Sequence, residues 1–176
     1  MLPELWVYRR VVRQLMCLPA RPWEVGGWLL GYWTADERAL LVTHATPPAG
    51  RGTPFGVKVS GRGHSERFDE AWEHSGGHVT FLGDWHTHPG CAALPSRRDG
   101  RAIMQLAGDP AYGTPRPLSA IIQAPRWPFS KVRDVVRWHL TRSERPAETD
   151  ELNARVVDDV PDEATRVPHW EWPARR

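Results

Sequence analysis

Apolar and polar positions alternate along this chain in short blocks, some with the two-residue period of strands and some with the wider spacing of helices. Leu5 to Met16 mixes β-branched and aromatic residues with arginine, and fits a strand, a helix or one followed by the other. Pro19 and Pro22 break the chain, and Glu24-Val25-Gly26-Gly27 then leads into the apolar run Trp28 to Trp33, which predicts a buried strand. Ala39 to Ala45 predicts its antiparallel neighbour across the polar turn 34–38. The Pro- and Gly-rich stretch Thr46 to Thr53 predicts a loop, and Phe55 to Val59 a short strand. Phe68, Ala71 and Trp72 fall at helical spacing within Ser65 to His74, predicting a helix packed by one face and stopped at Gly76-Gly77. His78 to Trp85 returns to a β pattern. Pro95-Ser96 opens a further helix, with Ile103, Met104 and Leu106 available to the core and Gly108-Asp109-Pro110 as its end. Leu118 to Gln123 and Val132 to Leu140 predict two more strands.

The fold class is therefore mixed α/β, with one domain over residues 1–143. Beyond it the sequence turns polar and acidic, with scattered prolines, so 144–176 is expected to form an acidic, partly extended or disordered C-terminal tail in which only Trp170 and Trp172 offer anchors. Charge divides the same way. Residues 1–143 carry 18 basic and 12 acidic groups, and the tail five and nine. The arginines are scattered and no run of five or more like charges occurs, so a solvated surface accounts for them better than a nucleic-acid interface. Two cysteines, Cys17 and Cys91, are too few for a disulfide framework and point to a reducing compartment. No run approaches the ~20 apolar residues that span a bilayer, and the N-terminus lacks a leader pattern, so the expectation is a cytoplasmic, non-membrane protein.

Candidate chemistry concentrates between Trp85 and Asp99, which reads W-H-T-H-P-G-C-A-A-L-P-S-R-R-D. Residues two apart on a strand share a face, so His86 and His88 can aim both imidazoles at one point while Thr87 faces away. Asp99, just inside the next helix, can add a carboxylate oxygen. Two histidines and one carboxylate leave a fourth tetrahedral position open, the arrangement of a catalytic zinc. Hydrolysis at such a centre also needs a proton carrier, and Glu24, next to glycines that permit close backbone approach, is the candidate; Ser96 can hydrogen-bond a developing oxyanion. Ser96 and Asp99 also spell S-x-x-D, a variant capping box, and that role can coexist with ligation. Cys91 is close to the candidate ligands in sequence and is a minor candidate for contact with the metal. The remaining histidines, His44, His64, His74, His78, His139 and His169, lack ligand spacing and are expected at the surface or in hydrogen bonds. A cysteine-protease reading would take the same histidines away from the metal, and the H-x-E and P-C-x-x-C strings of nucleobase deaminases do not occur.

H-T-H-P, six residues, Ser96, two residues and Asp99, with Glu24 upstream in E-x-G-G, resembles the JAMM signature of the JAB/MPN metalloprotease family, and especially its bacterial stand-alone members. The resemblance covers roughly Glu24 to Leu140. It implies a cytidine deaminase-like fold, a curved mixed sheet flanked by helices, with Zn2+ held by His86, His88 and Asp99, Glu24 as general acid/base and Ser96 as oxyanion stabiliser. The implied activity is zinc-dependent hydrolysis after the C-terminus of a ubiquitin-like protein, with activating and conjugating enzymes of the same system as further partners and antiphage defence as a setting. The alternatives are a non-catalytic MPN-type binding module and a hydrolase acting on a sulfur-carrier adduct. The loop Thr46 to Val59 is the expected grip on an extended substrate tail, by addition of a strand.

Overall fold

The computed structural model describes residues 2–19, 21–48, 51–53, 56–58, 62–125, 135–142, 145 and 148–159. In chain order the elements are β1 (Glu4–Tyr8), α1 (Arg9–Met16), β2 (Gly26–Trp33), β3 (Ala39–Ala45), β4 (Arg51–Thr53), β5 (Gly56–Lys58), α2 (Arg62–His74), β6 (Thr80–Pro89), α3 (Arg97–Gly108), β7 (Leu118–Ala124), β8 (Val135–Thr141), β9 (Thr149–Leu152) and β10 (Ala154–Val157). Eight strands make one curved mixed sheet in the order β10-β1-β3-β2-β6-β7-β8-β9, and β4 and β5 form a separate two-stranded hairpin. Among the described residues no helix is long and apolar enough to cross a membrane.

The mixed composition of Leu5 to Met16 reflects a strand followed at once by a helix. Its β-branched and aromatic half, Leu5 to Val7, is buried in the sheet, and Val11 and Leu15 carry the buried stripe of α1. Each face of the sheet has its own core. Leu5, Val7, Leu29, Val42, Leu82, Trp85, Ile122 and Leu140 pack with α1 on one side. Trp6, Leu30, Tyr32, Leu41, Val79 and Phe81 pack with Ala71 of α2 on the other. Complete burial of a Leu, Ile or Trp contributes roughly 1.5–3 kcal/mol or more relative to exposure, so the inner strands, covered on both faces, are the most firmly held part of the molecule.

Several expectations need correction. Trp72 is 45% exposed and Met104 42%, while Ala71 and Ile103 are buried and Phe68 and Leu106 pack against the core as expected. The second helix begins at Arg62 rather than Ser65. The stretch Thr46 to Thr53 includes β4, which pairs antiparallel with β5; Phe55 and Val59 lie outside the described residues. Thr149–Leu152 and Ala154–Val157 form two further strands of the sheet. β9 pairs antiparallel with β8, β10 pairs parallel with β1, and Leu152 is buried. Each strand is only four residues long and lies in an acidic stretch, so composition hides them; backbone pairing at the two sheet edges holds them in place. Trp170 and Trp172 lie outside the described residues.

One irregularity decides which way the ligand strand faces. Leu29 pairs with Gly83 and Leu30 with Phe81, so Leu82 is an extra residue in β6. That bulge shifts the two-residue alternation by one step. Phe81 packs in the core beneath α2, Leu82 and Trp85 both pack on the α1 side, and Asp84 and His86 return to the face of Phe81. Gly83 occupies φ +154, where a Cβ would collide with the Leu118 carbonyl of β7, so the bulge depends on glycine.

Candidate metal centre

The C-terminal half of β6 presents His86 and His88 on the face covered by α3, both buried at 4% and 8% exposure. The chain turns at Gly90 and re-enters at α3, whose N-cap is Ser96. The Ser96 hydroxyl oxygen accepts from the Asp99 N–H at 3.3 Å, and Asp99 Oδ2 accepts from the Ser96 N–H at 2.6 Å. This capping box bends the Asp99 carboxylate back over the helix start, toward β6. Its Oδ1 lies 3.5 Å from His86 Nε2 and its Oδ2 3.5 Å from His88 Nε2. Capping and convergence thus use the same side chain at once.

One ligand atom from each of His86, His88 and Asp99 lies within 4.8 Å of the other two. Ligands 2.0–2.1 Å from a tetrahedral ion stand about 3.3 Å apart, so the 3.5 Å separations match a metal-sized gap after a small turn of the carboxylate. His86 Nε2 is buried with no hydrogen-bond partner, as an atom reserved for an ion would be. Both Nδ1 atoms are engaged elsewhere: that of His86 lies 3.1 Å from Asp84 Oδ2, and that of His88 lies 3.1 Å from the Ala92 carbonyl. Each ring therefore turns Nε2 toward Asp99. The donor set fits a cation, and two imidazoles with one carboxylate suit zinc.

The electrostatics agree. Burial lowers the His86 pKa, but the Asp84 hydrogen bond and the close carboxylates of Asp84 and Asp99 outweigh it and push the value up to about 10. Burial raises Asp99, and the two imidazoles 3.5 Å away overcome that, holding it well below the usual carboxylate range. Both shifts favour a positive charge between the imidazoles and the carboxylate, a demand that a proton or a metal cation would meet.

Glu24 reaches the same place from β2. Gly26 pairs with His86, which brings the residue two positions earlier to the end of the ligand strand. Glu24 lines a cavity of about 630 Å³ together with Asp84, His86 and Asp99, whose apolar wall includes Trp28, Phe81 and Tyr112. Its pKa is raised by burial, with His86 and His88 pulling the other way. Two contacts fix its backbone. Glu24 N–H donates to the Thr53 carbonyl at 3.0 Å, and Gly52 packs so closely that a Cβ there would collide with the Glu24 carbonyl. On the other side Val25 N–H donates to Thr87 Oγ1 at 3.0 Å, while Thr87 N–H donates to the Val25 carbonyl at 2.8 Å. The threonine between the two histidines clamps the segment that carries the glutamate.

The predicted set Glu24, His86, His88 and Asp99 is therefore brought together, and Ser96 stands beside it as an exposed N-cap bound to Asp99. Cys91 is exposed, and the metal-capable cluster found among the described residues does not include it. His64 hydrogen-bonds Thr46, His74 the Glu70 carbonyl, and His44 Thr43. His169 lies outside the described residues. Reading the sequence alone missed Asp84 and Thr87. Asp84 precedes His86 by two, the same strand spacing that pairs the histidines, and that spacing was the available signal.

A family model described as prokaryotic homologs of the JAB domain matches residues 7–141. A probable metalloprotease, y4qB, of Sinorhizobium fredii is 28% identical over 128 residues, covering 69% of this chain and 77% of that protein. A CD-NTase/cGAS isopeptidase of Enterobacter hormaechei is 31% identical over 111 residues, 60% of this chain and 58% of its own length. Another, from Vibrio cholerae, is 37% identical over 78 residues, 43% and 49% of the two chains. The match thus spans about half the length of these isopeptidases. Among solved structures, that of protein DSY2949 from Desulfitobacterium hafniense superposes with a TM-score of 0.63 at 19% identity, covering 93% of this chain and 100% of that one, and has the same fold.

Proposed function

The chain belongs to the prokaryotic homologs of the JAB domain, and from that premise we propose that it is a zinc-dependent peptidase or isopeptidase that hydrolyses the bond after the C-terminus of a ubiquitin-like protein. One observation carries the reading: three ligand atoms from His86, His88 and Asp99 converge within 4.8 Å, and Glu24 lines the same cavity. Zinc held by these three residues would supply Lewis acidity, making water nucleophilic near neutral pH and polarising the scissile carbonyl.

The remaining steps fall to the chain. Glu24, half-buried and with a raised pKa, accepts the proton of the attacking water and returns it to the leaving amine, so that a carboxylate and an amine are the products. Its anchored backbone keeps the carboxylate aimed at the centre. The Ser96 O–H donates to the oxyanion as it forms. The β4–β5 hairpin, bonded to Glu24 through Thr53, is our candidate to add a strand to the substrate's extended tail. Relatives described as CD-NTase/cGAS isopeptidases favour an isopeptide bond and a conjugation system as the setting, with activating and conjugating enzymes as partners in the same pathway.

The test combines metal analysis with turnover. Purified protein should carry about one zinc per chain, and should cut a fusion in which a ubiquitin-like protein encoded beside it precedes a reporter. Cleavage should stop in a chelator and return with zinc. A metal-loaded chain that binds such proteins without cutting any fusion or conjugate would instead mark a binding module.

A further inference from the structure

We propose that Asp84, Ser119 and His139 form a buried polar row that positions both metal-ligating imidazoles. The inference rests on the metal reading above and deepens it.

The row follows from strand register. Asp84 of β6 pairs with Ser119 of β7, and Ser119 pairs with His139 of β8, so the three are consecutive neighbours across the sheet. All are sheltered: Ser119 is 1% exposed, His139 4%, and one carboxylate oxygen of Asp84 is buried completely. Each also has one polar atom without a partner, namely Asp84 Oδ1, Ser119 Oγ and His139 Nε2. A buried polar atom left unpaired costs about 1–3 kcal/mol, so three at adjacent register positions point to one shared network.

Each end of the row reaches one ligand. Asp84 Oδ2 stands 3.1 Å from His86 Nδ1, so holding the other oxygen fixes the carboxylate that orients His86. The Ala93 carbonyl lies close enough to the His139 ring to raise its pKa against burial, and the adjacent Ala92 carbonyl lies 3.1 Å from His88 Nδ1. The row thus steadies both groups that receive the imidazole Nδ1–H bonds. Such outer partners fix the tautomer and direction of a ligating histidine, and losing one weakens metal affinity about 10–100-fold.

The test is zinc affinity of the full chain by competition against a chromophoric chelator, with metal-free melting and circular dichroism run alongside. D84A should bind zinc about 10–100-fold more weakly, S119A about tenfold more weakly, and both should keep the circular dichroism of the wild type. D84N, which retains an acceptor oxygen for His86, should recover part of the affinity lost in D84A, a rescue that a purely structural role would not give. If D84A fails to fold, S119A, which removes one hydroxyl, still decides the matter. Wild-type binding with D84A or S119A affinities equal to it would overturn the positioning role alone. A wild-type chain that binds no zinc would overturn the metal reading, and this inference with it.

Discussion

Replacing Thr87 with valine tests how the glutamate is held beside the metal ligands. Thr87 is 3% exposed and sits between His86 and His88, facing the opposite side of the sheet. Its hydroxyl oxygen accepts the Val25 N–H at 3.0 Å, and its own N–H donates to the Val25 carbonyl at 2.8 Å. Valine keeps the branched shape and the backbone bond but removes the acceptor, leaving the Val25 N–H buried and unpaired, at a cost of about 1–3 kcal/mol. For a chain of 176 residues each kcal/mol is about 2–4 °C of Tm, so the metal-free protein should melt roughly 2–12 °C lower. Val25 adjoins Glu24, and loosening it should lower kcat more than it alters KM. Zinc stoichiometry should hold, because neither histidine moves with the hydroxyl. A variant with an unchanged Tm and kcat would refute the clamp.

Four further outcomes follow from the geometry and the charges it brings together. Gly83→Ala should destabilise by several kcal/mol in chemical denaturation and reduce zinc binding, because φ +154 and the Leu118 carbonyl both reject a Cβ and the bulge sets the face of the histidines; a stable variant with full zinc occupancy would contradict that account. His86→Ala and Asp99→Ala should each lose zinc and turnover together, measured by metal analysis, whereas full occupancy in His86→Ala would remove it from the ligand set. Zinc binding near pH 7.5 should release about one proton per ion, read with a pH indicator, since His86 is held at about 10 without metal. The same shift sets the sign for the metal-free fold. The His86 contribution is fully present below its ordinary value of 6.5 and is lost as pH rises toward about 10, while that of the depressed Asp99 is present above its ordinary 3.8 and is lost as pH falls. Tm of the metal-free protein should therefore decline on both sides of that window.

The core strands were legible because their apolar runs are long: Trp28 to Trp33 and Ala39 to Ala45 could hardly be anything but buried sheet. The candidate site was legible for a different reason. Two histidines at strand spacing, followed by a capped helix start, define a local geometry, and only the approach of Glu24 needed the long-range pairing of Gly26 with His86. What could not be read was set by partners distant in sequence. β9 and β10 are four residues each, too short for a pattern to stand out, and they add to the edges that β8 and β1 offer. Trp72 has helical spacing with Ala71, yet the small residue lies against the sheet and the large one outside. The extra residue Leu82 leaves no mark in the apolar pattern of β6, because both faces of that strand are covered. Nor does any local motif reveal Ser119 or His139, which become neighbours of Asp84 only through sheet register.

The most direct measurement is turnover and zinc content of Glu24→Gln on a ubiquitin-like fusion that the wild type cleaves. Glutamine keeps the size of the side chain and removes the carboxylate that carries the proton. The variant should retain about one zinc per chain while kcat falls about 10²–10⁴-fold. Wild-type turnover by Glu24→Gln, with zinc in place, would contradict the assignment of Glu24 and the hydrolytic site built around it.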